Sequence, residues 1–529
     1  MNPPRPPAHA SVLDDLLALA RRPLTAGERS ELDRFARFTR EELEPTAFEI
    51  DRGLRPFLAA PEEDPTGPPR VVLAPTHERL LDRLYGGGIV AAAFGEPRDW
   101  LRAFALMHEV ADVGLLCSVT VTLATLDALD RWGSPELRER FLRPMLRVGG
   151  RTQGATWATE EQGGSDLGTN RTTARRAGDD LWAITGEKFF CSNVGADAAL
   201  VTARPEGAVG GVRGLRLFFV PARRAGGGPN WRVRRLKEKL GTVTVPTGEV
   251  ACEASEGYAL GPPEAGAAPI LEMLNFSRIA NAVGSAAVLQ RAAEWAEAYA
   301  RERTAFGRRL LDHPLLALDV ATLRVEADSA SLLAFDAADR FARLRRDAPS
   351  RPDDTMLLRF TTHAAKLVTA EQAVRGTQLA METFGGIGYL EERPIAKLVR
   401  DALVTPIWEG GANLQALDAR EVMVRHHPER EWATAAGRAS AHHSSAEVRR
   451  FISVRQAALE TMGDVLDAKR CLRLWGELRQ ITQLLARGAQ EPTPRNLARA
   501  ELFARLRSQR LGEPPPRELV AAVLAAPVP

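Results

Sequence analysis

The strongest constraint on the fold is a change of pattern along the 529 residues of the chain. Up to about residue 150, apolar side chains recur at steps of three and four, which predicts amphipathic helices. From 151 to 265 the apolar runs are short, rich in Thr and Val, and separated by Gly-containing turns, which predicts strands. The helical spacing then returns in longer stretches. This order of helices, strands and helices is typical of an α+β multi-domain protein.

We therefore predict four domains. An α-helical N-terminal domain covers residues 1–150, and a central antiparallel β-barrel or sandwich covers residues 151–265. A C-terminal four-helix bundle covers residues 266–425, because its helices are long and its links are short. An extra Arg-rich helical tail covers residues 426–529.

Local patterns add specific expectations to this division. Residues 11–22 predict a helix, and Thr25 with Glu28 three residues later predicts a capping box at the start of a second helix. Residues 171–177 and 181–185 flank a Gly-Asp-Asp turn, which predicts a β-hairpin.

Composition excludes several classes of protein. The net charge is only +2 and 45% of the residues are hydrophobic, so nothing global indicates a nucleic-acid or membrane protein. The four cysteines are scattered without a CxxC pair, which argues against a zinc site or a disulfide framework. The Pro-rich start lacks an apolar segment of the signal-peptide kind, and no stretch reaches roughly 18 uninterrupted apolar residues. We therefore expect a cytoplasmic protein without a metal.

One carboxylate has surroundings that suit a general base. Glu409 lies in the segment IWEGGAN at 407–413, between an apolar and aromatic approach and two glycines. An apolar approach raises the pKa of a carboxyl group, and a base near neutrality can abstract a weakly acidic proton. The alternative on these seven residues alone is a solvated Glu near a helix N-terminus.

Four further segments combine glycines, hydroxyls, aromatic rings or arginines at loop positions. A Gly-Gly pair flanked by hydroxyls offers donors to a phosphate or a flat heteroaromatic ring, and arginine suits a pyrophosphate. Taken singly, each segment also fits a structural role: a surface turn, a core strand, a helix end or a Gly cap. The segments are TEEQGGSD at 159–166, EKFFCSN at 187–193, RERTAFG late in a long helix at 301–307, and ETFGGIGY at 382–389.

Together, the order and separation of the five segments resemble the acyl-CoA dehydrogenase family over roughly residues 77–425. The segment RLKEKLGT at 235–242, the TGEV that follows and the extra C-terminal helices resemble the AidB-like branch of that family. The resemblance implies an FAD-dependent oxidoreductase that dehydrogenates an acyl-CoA thioester between its α and β carbons. It also implies a homo-oligomer, in most members a tetramer, whose FAD site lies between the β domain and the bundle and is shared between subunits.

The resemblance assigns roles to individual positions. Glu409 would be the catalytic base, and Ser165, Arg278 and Gly410 would contact the acyl-CoA. The positions that would contact FAD are Trp157, Thr159, Gly164, Ser165, Phe190, Ser192, Arg303, Phe306, Glu382, Gly385, Gly386, Trp408, Gly411 and Asn413.

The chain departs from the family pattern at four of its positions. Phe190 stands where the family often has Trp, at the flavin edge that faces an electron-transfer flavoprotein, and Ser192 stands where it often has Thr. Glu382 replaces a frequent Gln and adds negative charge near the cofactor, and Asn275 replaces a frequent Asp. The changes at Phe190 and Glu382 are shared with AidB-like proteins.

The sequence is also compatible with two alternative functions. The first is an AidB-like flavoprotein that associates with DNA, protects it from alkylation damage and has weak or no dehydrogenase turnover. Its support is the tail at 428–529, which holds 16 Lys and Arg against 11 Asp and Glu, with Arg449, Arg450, Arg505, Arg507 and Arg510 among them. The second is a flavin oxidase or monooxygenase that uses oxygen on the same fold.

Overall fold

The computed structural model describes residues 25–60, 69–146, 151–346, 352–441, 443–508 and 514–525. The helix predicted at 11–22 lies outside these residues, as does Arg510. The chain divides into two compact units, one of residues 35–280 and one of residues 281–529 together with the residues before 35.

Helices make up the N-terminal part of the chain. Thr25 and Glu28 exchange backbone-to-side-chain hydrogen bonds of 2.9 and 3.3 Å, which confirms the predicted capping box. The helices are α1 Ala26–Phe38, α2 Glu44–Arg52, α3 Pro75–Gly86, α4 Ile89–Phe94, α5 Trp100–Glu109, α6 Val113–Trp132, α7 Pro135–Leu137 and α8 Arg143–Met145, with π-helical turns at Thr39–Leu43 and Arg138–Leu142. A two-stranded ribbon, β1 Phe57–Ala59 with β2 Arg70–Val72, lies between α2 and α3.

Helix α6 is the longest described helix of this part, and most of its residues are buried. Its N-terminus is capped by Asp112, whose carboxylate accepts from the Leu115 N–H at 2.8 Å. Among the described residues, α6 is the one helix long and apolar enough to cross a bilayer, but 89% of its most apolar stretch is buried inside the protein. Thr122 and Thr125 bond the backbone of Gly154 and Ala155 at 3.0 and 3.2 Å, so α6 packs against the first strand of the β domain as a core helix.

The central β domain is a closed, barrel-like sheet. Its seven strands are β3 Gly154–Trp157, β4 Thr173–Arg176, β5 Leu181–Ser192, β6 Ala198–Pro205, β7 Arg216–Pro221, β8 Arg232–Leu236 and β9 Thr247–Ala259. The order β6-β4-β5-β9-β7 closes on itself because β7 also pairs with β6, while β3 and β8 extend from β6 and β9. The predicted hairpin of β4 and β5 is confirmed.

The sheet is mixed rather than purely antiparallel, which corrects one detail of the expected fold. Strand β6 lies between β3 and β4 and runs parallel to both. The alternation of side chains within a strand does not specify which strand becomes its neighbour, so the pattern cannot distinguish the two directions. The inner face is a buried cluster that includes Trp157, Ile184, Cys191 and Phe218.

The described residues of the second unit form helices and connecting turns, with one short hairpin. Helix α9, Ala268–Glu302, crosses the boundary between the two units and is followed by the hairpin of β10 Thr304–Ala305 and β11 Arg308–Arg309. The remaining long helices of the bundle are α10 Pro314–Arg346, α11 Pro352–Thr383 and α13 Ala412–His426, with the shorter α12 Pro394–Ala402 between the last two. The predicted C-terminal bundle is therefore confirmed.

The tail adds five helices that dock on the bundle. They are α14 Glu429–Ala441, α15 Ala446–Glu460, α16 Ala468–Gln490, α17 Pro494–Arg507 and α18 Arg517–Leu524. Arg507 donates to Glu326 at 2.7 Å and to Glu477 at 3.0 Å, and although burial opposes it, these carboxylates raise the pKa of Arg507. Arg473 similarly binds Glu371 through two hydrogen bonds of 2.6 and 2.8 Å.

These contacts bear on the arginines that suggested DNA binding. Arg507 is turned inward against the bundle, and Arg505 pairs with Glu501 one helical turn away. Arg449 donates to the backbone carbonyl of Ser444 at 2.9 Å. Arg505 and Arg507 are thus paired with carboxylates, and Arg449 contacts a backbone carbonyl.

Candidate functional site

In the β domain, the first two predicted segments are neighbours. The backbone N–H of Phe189 donates to the carbonyl of Thr159 at 3.0 Å, which joins the loop after β3 to the end of β5. Gly164 folds back on the same residue, since a Cβ atom at this position would lie 2.6 Å from Thr159 Oγ1. The indole N–H of Trp157 donates to the Ser192 carbonyl at 3.2 Å. Two segments that are separated in sequence therefore form one surface.

Phe190 and Ser192 lie on the accessible side of β5. Cys191 between them belongs to the buried core of the barrel, so its two neighbours are turned outward. Phe190 is 55% exposed, which is unusual for a large aromatic side chain, and Ser192 is half-buried. Trp157, in contrast, is fully buried and supports Ser192 from inside. Ser165 is exposed on the preceding loop.

The segment at 235–242 supports this surface from a second direction. The ammonium of Lys237 lies 3.0 Å from the ring centroid of Phe189 and 5.0 Å from that of Phe190. Lys239 donates to Thr247 Oγ1 at 3.0 Å, and this hydroxyl is 3.3 Å from Ser192 Oγ. Two lysines that the sequence suggested as a branch signature thus contact the predicted cofactor surface or its immediate support.

A buried ion pair holds the two loops together. Lys188 donates to Glu160 at 2.8 Å, and both side chains are almost fully excluded from solvent. Glu160 also accepts from the backbone of Arg171 at 2.7 Å and from the Thr172 hydroxyl at 2.6 Å. Every residue from 161 to 170 lies between these contacts, so the pair closes the loop that carries Gly164 and Ser165.

The charge states follow from these partners. Burial by itself raises the pKa of Glu160, but the Lys188 ammonium, the Arg171 N–H and the Thr172 hydroxyl hold that pKa at about 2. Burial lowers the pKa of Lys188, and the Glu160 carboxylate opposes this effect. A buried pair of this kind is stable only while both members are present.

Arg278 belongs to the same unit and lies in α9. Its side chain is buried and its guanidinium is 3.4 Å from the Asn275 amide oxygen, one helical turn away. The residue that departs from the family pattern is therefore a direct neighbour of the arginine predicted to lie near the substrate.

In the second unit, the segment at 301–307 begins at the end of a long helix, as predicted, and continues from Arg303 into a hairpin that the sequence does not predict. Helix α9 ends at Glu302, and Phe306 has a positive φ of 54° at the hairpin tip. Phe306 and Gly307 both adopt left-handed backbone conformations, which form the two-residue turn between β10 and β11. As a result Arg303 and Phe306 lie on an exposed arm, and Phe306 is 96% exposed.

This arm begins next to the segment at 382–389. Tyr299, one turn before Arg303, stacks on Phe384 with ring centroids 4.5 Å apart. Gly385 has a φ of +63°, and no described atom lies within 4 Å of a Cβ built at Gly385 or Gly386. The structure thus brings the third and fourth predicted segments together and leaves open space above the glycines.

Glu382 contributes negative charge at this end of the bundle. Its carboxylate is exposed and accepts weakly from Gln378 at 3.4 Å. Burial raises the pKa of the nearby Asp319, and the Glu382 carboxylate raises it further. The negative charge predicted at Glu382 therefore acts on the ionisation of Asp319.

The loop that carries Glu409 connects α12 to α13. Glu409 is half-buried with a φ of +56°, and Gly410 follows with a φ of +89°. Gly411 is the residue before α13, and Asn413 is exposed in the first turn of that helix. The indole N–H of Trp408 donates to the Asn281 side chain. The predicted carboxylate is therefore presented at the tip of a tight, anchored turn.

Side chains from two helices bind the backbone of this loop. Lys366 of α11 donates to the carbonyls of Pro406 at 3.2 Å and Gly410 at 2.8 Å. Gln415 of α13 donates to the carbonyls of Glu409 at 3.1 Å and Gly410 at 2.8 Å. Among the residues that the structure describes, no group of three or more His, Cys, Asp or Glu side chains could hold a metal ion. Side chains from both helices thus hold the backbone on each side of the Glu409 carboxylate.

Comparison with known families agrees with this geometry. Residues 155–255 match the acyl-CoA dehydrogenase middle domain, and residues 264–424 match the acyl-CoA dehydrogenase C-terminal domain. The chain belongs to the acyl-CoA dehydrogenase family. The residues predicted to contact FAD or the acyl-CoA, from Trp157 to Asn413, all fall inside the two matched acyl-CoA dehydrogenase domains.

Two relatives and one solved structure illustrate the match. Acyl-CoA dehydrogenase family member 11 of Caenorhabditis elegans is 38% identical over 336 residues, 60% of this chain and 54% of that protein. The putative acyl-CoA dehydrogenase AidB of Escherichia coli K12 is 34% identical over 330 residues, 60% of this chain and 59% of that protein. The match thus spans little more than half the length of these relatives.

The crystal structure of Caenorhabditis elegans ACDH-11 in complex with C11-CoA has a TM-score of 0.83 to this chain. The alignment covers 94% of this chain and 90% of that one at 24% sequence identity, and it shows the fold, including the tail helices. The acyl-CoA dehydrogenase resemblance inferred from the five segments is confirmed, and the match to AidB supports the branch.

Sequence reasoning missed the residues that support the site. Lys188 and Glu160 lie inside the predicted segments, but their pairing joins two loops and cannot be read from either one. Lys366 carried a usable signal: it is a single charge in the apolar run AAKLV of an acyl-CoA dehydrogenase helix. Gln415, and His363, whose Nδ1 lies 2.8 Å from the Gln415 amide oxygen, have no distinguishing pattern, because buried amides and imidazoles occur commonly in helix cores.

Proposed function

We propose that the chain is an FAD-dependent acyl-CoA dehydrogenase that removes hydrogen from the α and β carbons of an acyl-CoA thioester, with Glu409 as the base. The observation that carries this proposal is the Glu409 loop. A half-buried carboxylate with left-handed backbone is held at the tip of a turn by side chains that bind three of the loop's carbonyls. Such a backbone persists only where its surroundings determine it, which is frequent at active sites.

The β-domain surface fits one face of a flavin ring. It combines an exposed aromatic side chain, Phe190, with the hydroxyls of Ser192 and Thr159, and a glycine, Gly164, that is packed against Thr159. Aromatic rings stack on flat heteroaromatic systems, and hydroxyls bond their polar edges. Phe190, Ser192 and Thr159 would therefore hold the isoalloxazine ring.

The second unit fits the phosphate-bearing part of FAD. Arg303 presents a guanidinium on the exposed arm, and Gly385 and Gly386 leave room for a close approach of the backbone to a ligand. Guanidinium groups bind pyrophosphate through paired hydrogen bonds. The chemistry of these donors therefore suits the cofactor that the family uses.

The reaction divides between the cofactor and the chain. FAD, when bound, supplies the acceptor for the hydride that leaves the β carbon. Glu409 takes the α-proton, which a thioester carbonyl makes weakly acidic. Lys366 and Gln415 hold the loop that carries Glu409, and Trp408 is anchored by Asn281 beside it. The protein thus orients one carboxylate toward one C–H bond.

Anaerobic titration of the FAD-loaded protein with acyl-CoAs tests this proposal. Short, branched and long thioesters are added one at a time, with C11-CoA included because ACDH-11 was crystallised with it. A substrate will bleach the visible absorbance of the flavin. If no member of the panel bleaches it while FAD remains bound, the proposed activity is wrong. Air reoxidation of the bleached protein then distinguishes a dehydrogenase from an oxidase.

Gly164→Ala is expected to weaken FAD binding without unfolding the barrel. The added Cβ would lie 2.6 Å from Thr159 Oγ1 and must displace that hydroxyl. Loss of one hydrogen bond of about 1 kcal/mol would weaken affinity roughly fivefold. Fluorescence titration of apoprotein with FAD measures this change. Gly226→Ala is the control, because no described atom lies within 4 Å of its Cβ; equal FAD affinity in both variants would contradict the role of Thr159.

The assembly and location are part of the same proposal. A phenylalanine that is 96% exposed at the tip of an arm is costly in water, which supports a homo-oligomer, as the family resemblance implies, with the arm of Phe306 covered by a second copy. Multi-angle light scattering distinguishes a tetramer from a dimer or a monomer. We also propose that the protein is cytoplasmic and that an electron-transfer flavoprotein accepts its electrons.

A further inference from the structure

The loop from Val404 to Gly411 holds a backbone that its own hydrogen bonds do not account for. Ile407 and Trp408 donate to the Val404 carbonyl at 2.9 and 3.1 Å, which closes the turn before Glu409. The two residues that follow, Glu409 and Gly410, both have positive φ. For a non-glycine residue this conformation costs free energy, so contacts outside the turn must stabilise it at Glu409.

Lys366 supplies contacts on both sides of Glu409. Its ammonium donates to the Pro406 carbonyl, three residues before Glu409, and to the Gly410 carbonyl, one residue after it. The side chain is 1% exposed and lies on α11, which is separated from the loop by 40 and 44 residues of sequence at these two contacts. One side chain therefore fixes both ends of the peptide segment that carries the carboxylate.

Gln415 completes the set from the other side. Its amide nitrogen donates to the carbonyls of Glu409 and Gly410, and its amide oxygen lies 2.8 Å from His363 Nδ1. With this amide orientation, His363 carries its proton on Nδ1 and donates to Gln415. His363 is one turn before Lys366 on α11, so the two donors to the loop are themselves tied together through one helix.

The choice of a lysine at this place is informative. A buried ammonium has a large desolvation cost, and Lys366 is only 1% exposed. An ammonium has three donors that can reach several carbonyl oxygens at once, whereas an apolar side chain has none. The hydrogen bonds from the ammonium to the Pro406 and Gly410 carbonyls offset the cost of burial.

We propose that Lys366 is a positioning residue that, with Gln415, fixes the direction of the Glu409 carboxylate. The catalytic meaning of this role rests on the proposed dehydrogenase function, but the positioning of the loop does not. Lys366 acts through the backbone of the loop and takes no proton from the substrate.

The test compares Lys366→Met with Gln372→Met on the FAD-loaded protein. Methionine keeps the length of each side chain and removes its donors. Gln372 is buried six residues further along the same helix, where it contacts Glu326 and Ser329 and accepts from Gln480. It is therefore a matched control that removes a buried polar group without changing a contact of the loop.

Hydrogen–deuterium exchange of the peptide covering residues 403–415 is the first measurement. We expect these amides to exchange about tenfold faster in Lys366→Met than in the wild type, and Gln372→Met to leave them unchanged. With a thioester that bleaches the flavin, kcat should fall about a hundredfold with KM within about threefold, as expected for a misplaced base. Lys366→Arg, which retains donors, should restore part of both quantities.

Equal exchange in Lys366→Met and Gln372→Met would overturn the proposal. So would a loss of turnover that follows loss of FAD, because that would assign Lys366 to stability alone. If Lys366→Met does not fold, Gln415→Met removes the other two hydrogen bonds and should show the same faster exchange. If the wild type bleaches with no thioester, the proposed function fails, and the exchange measurement still decides the role of Lys366.

Discussion

Glu409→Gln is expected to slow bleaching of the flavin by acyl-CoA about 10³-fold while leaving FAD bound. Glutamine has nearly the same shape as glutamate, so the loop contacts through the Glu409 and Gly410 carbonyls are retained. Its neutral amide cannot accept the α-proton. Since a positioned base contributes on the order of 10²- to 10⁴-fold, the rate of bleaching should fall by about 10³-fold. Anaerobic stopped-flow absorbance measures this rate directly.

Glu421→Gln is the control for this experiment. Glu421 lies on α13 after the loop, pairs with Arg425 at 3.1 Å and is exposed. Removing its charge should leave the rate of bleaching within about twofold of the wild type, because exposed pairs contribute little. If Glu409→Gln bleaches at the wild-type rate, another group takes the proton. If Glu409→Gln fails to bind FAD, its loss of bleaching carries no information about the base, and FAD content is therefore measured first.

Lys188→Met is expected to be the most destabilising single change in the β domain. It leaves the Glu160 carboxylate buried without its ammonium partner. Breaking a buried pair in this way costs about 3 to 5 kcal/mol. The loss should appear as a lower midpoint of thermal unfolding at pH 7 and as faster hydrogen exchange in residues 159–172.

The matched control is Arg232→Met, which breaks an exposed ion pair with Glu253 on the same barrel. We expect less than about 1 kcal/mol for that change. In the double variant Lys188→Met with Glu160→Gln, the uncompensated charge is gone and part of the stability should return. Equal midpoints for Lys188→Met and Arg232→Met would show that the buried pair does not hold the loop.

The pH dependence of this effect has a definite sign. The folded pKa of Glu160 is about 2, below the ordinary value of 4.5, so its ionised form stabilises the fold above pH 4.5. That contribution is lost as the pH falls from 4.5 toward 2. In Lys188→Met the same burial favours the neutral acid instead. The difference in unfolding midpoint between the wild type and the variant should therefore narrow below pH 4.5, which a series of melts at decreasing pH measures.

The fold was predictable where the signal is local. Apolar spacing predicted the helices, and the capping box at Thr25 and Glu28 and the β4–β5 hairpin are confirmed. The parallel neighbours of β6 were not predicted, because strand direction depends on pairing between distant segments. The sequence does not predict the hairpin after Glu302, because the positive φ at Phe306 is not encoded in its residue type.

The candidate site divides in the same way. Glycines, hydroxyls, aromatics and the single carboxylate at Glu409 were recognised because each short segment carries its own composition. The sequence shows the tail arginines only as an excess of positive charge, whereas in the structure Arg507 forms ion pairs with Glu326 and Glu477. Charge counts cannot distinguish an arginine that faces water from one that faces a carboxylate on another helix.

The sequence by itself determined the family, the order of its helical and β regions and the residue proposed as base, since these depend on local pattern and on short segments in a set order. Only the tertiary structure decided which contacts hold the loops of the candidate site in place. Lys188 meets Glu160 and Lys366 meets Gly410 across 28 and 44 residues of chain. Such contacts form when packing brings distant helices or strands together, and the low polarity of the interior then makes each buried charge depend on its partner.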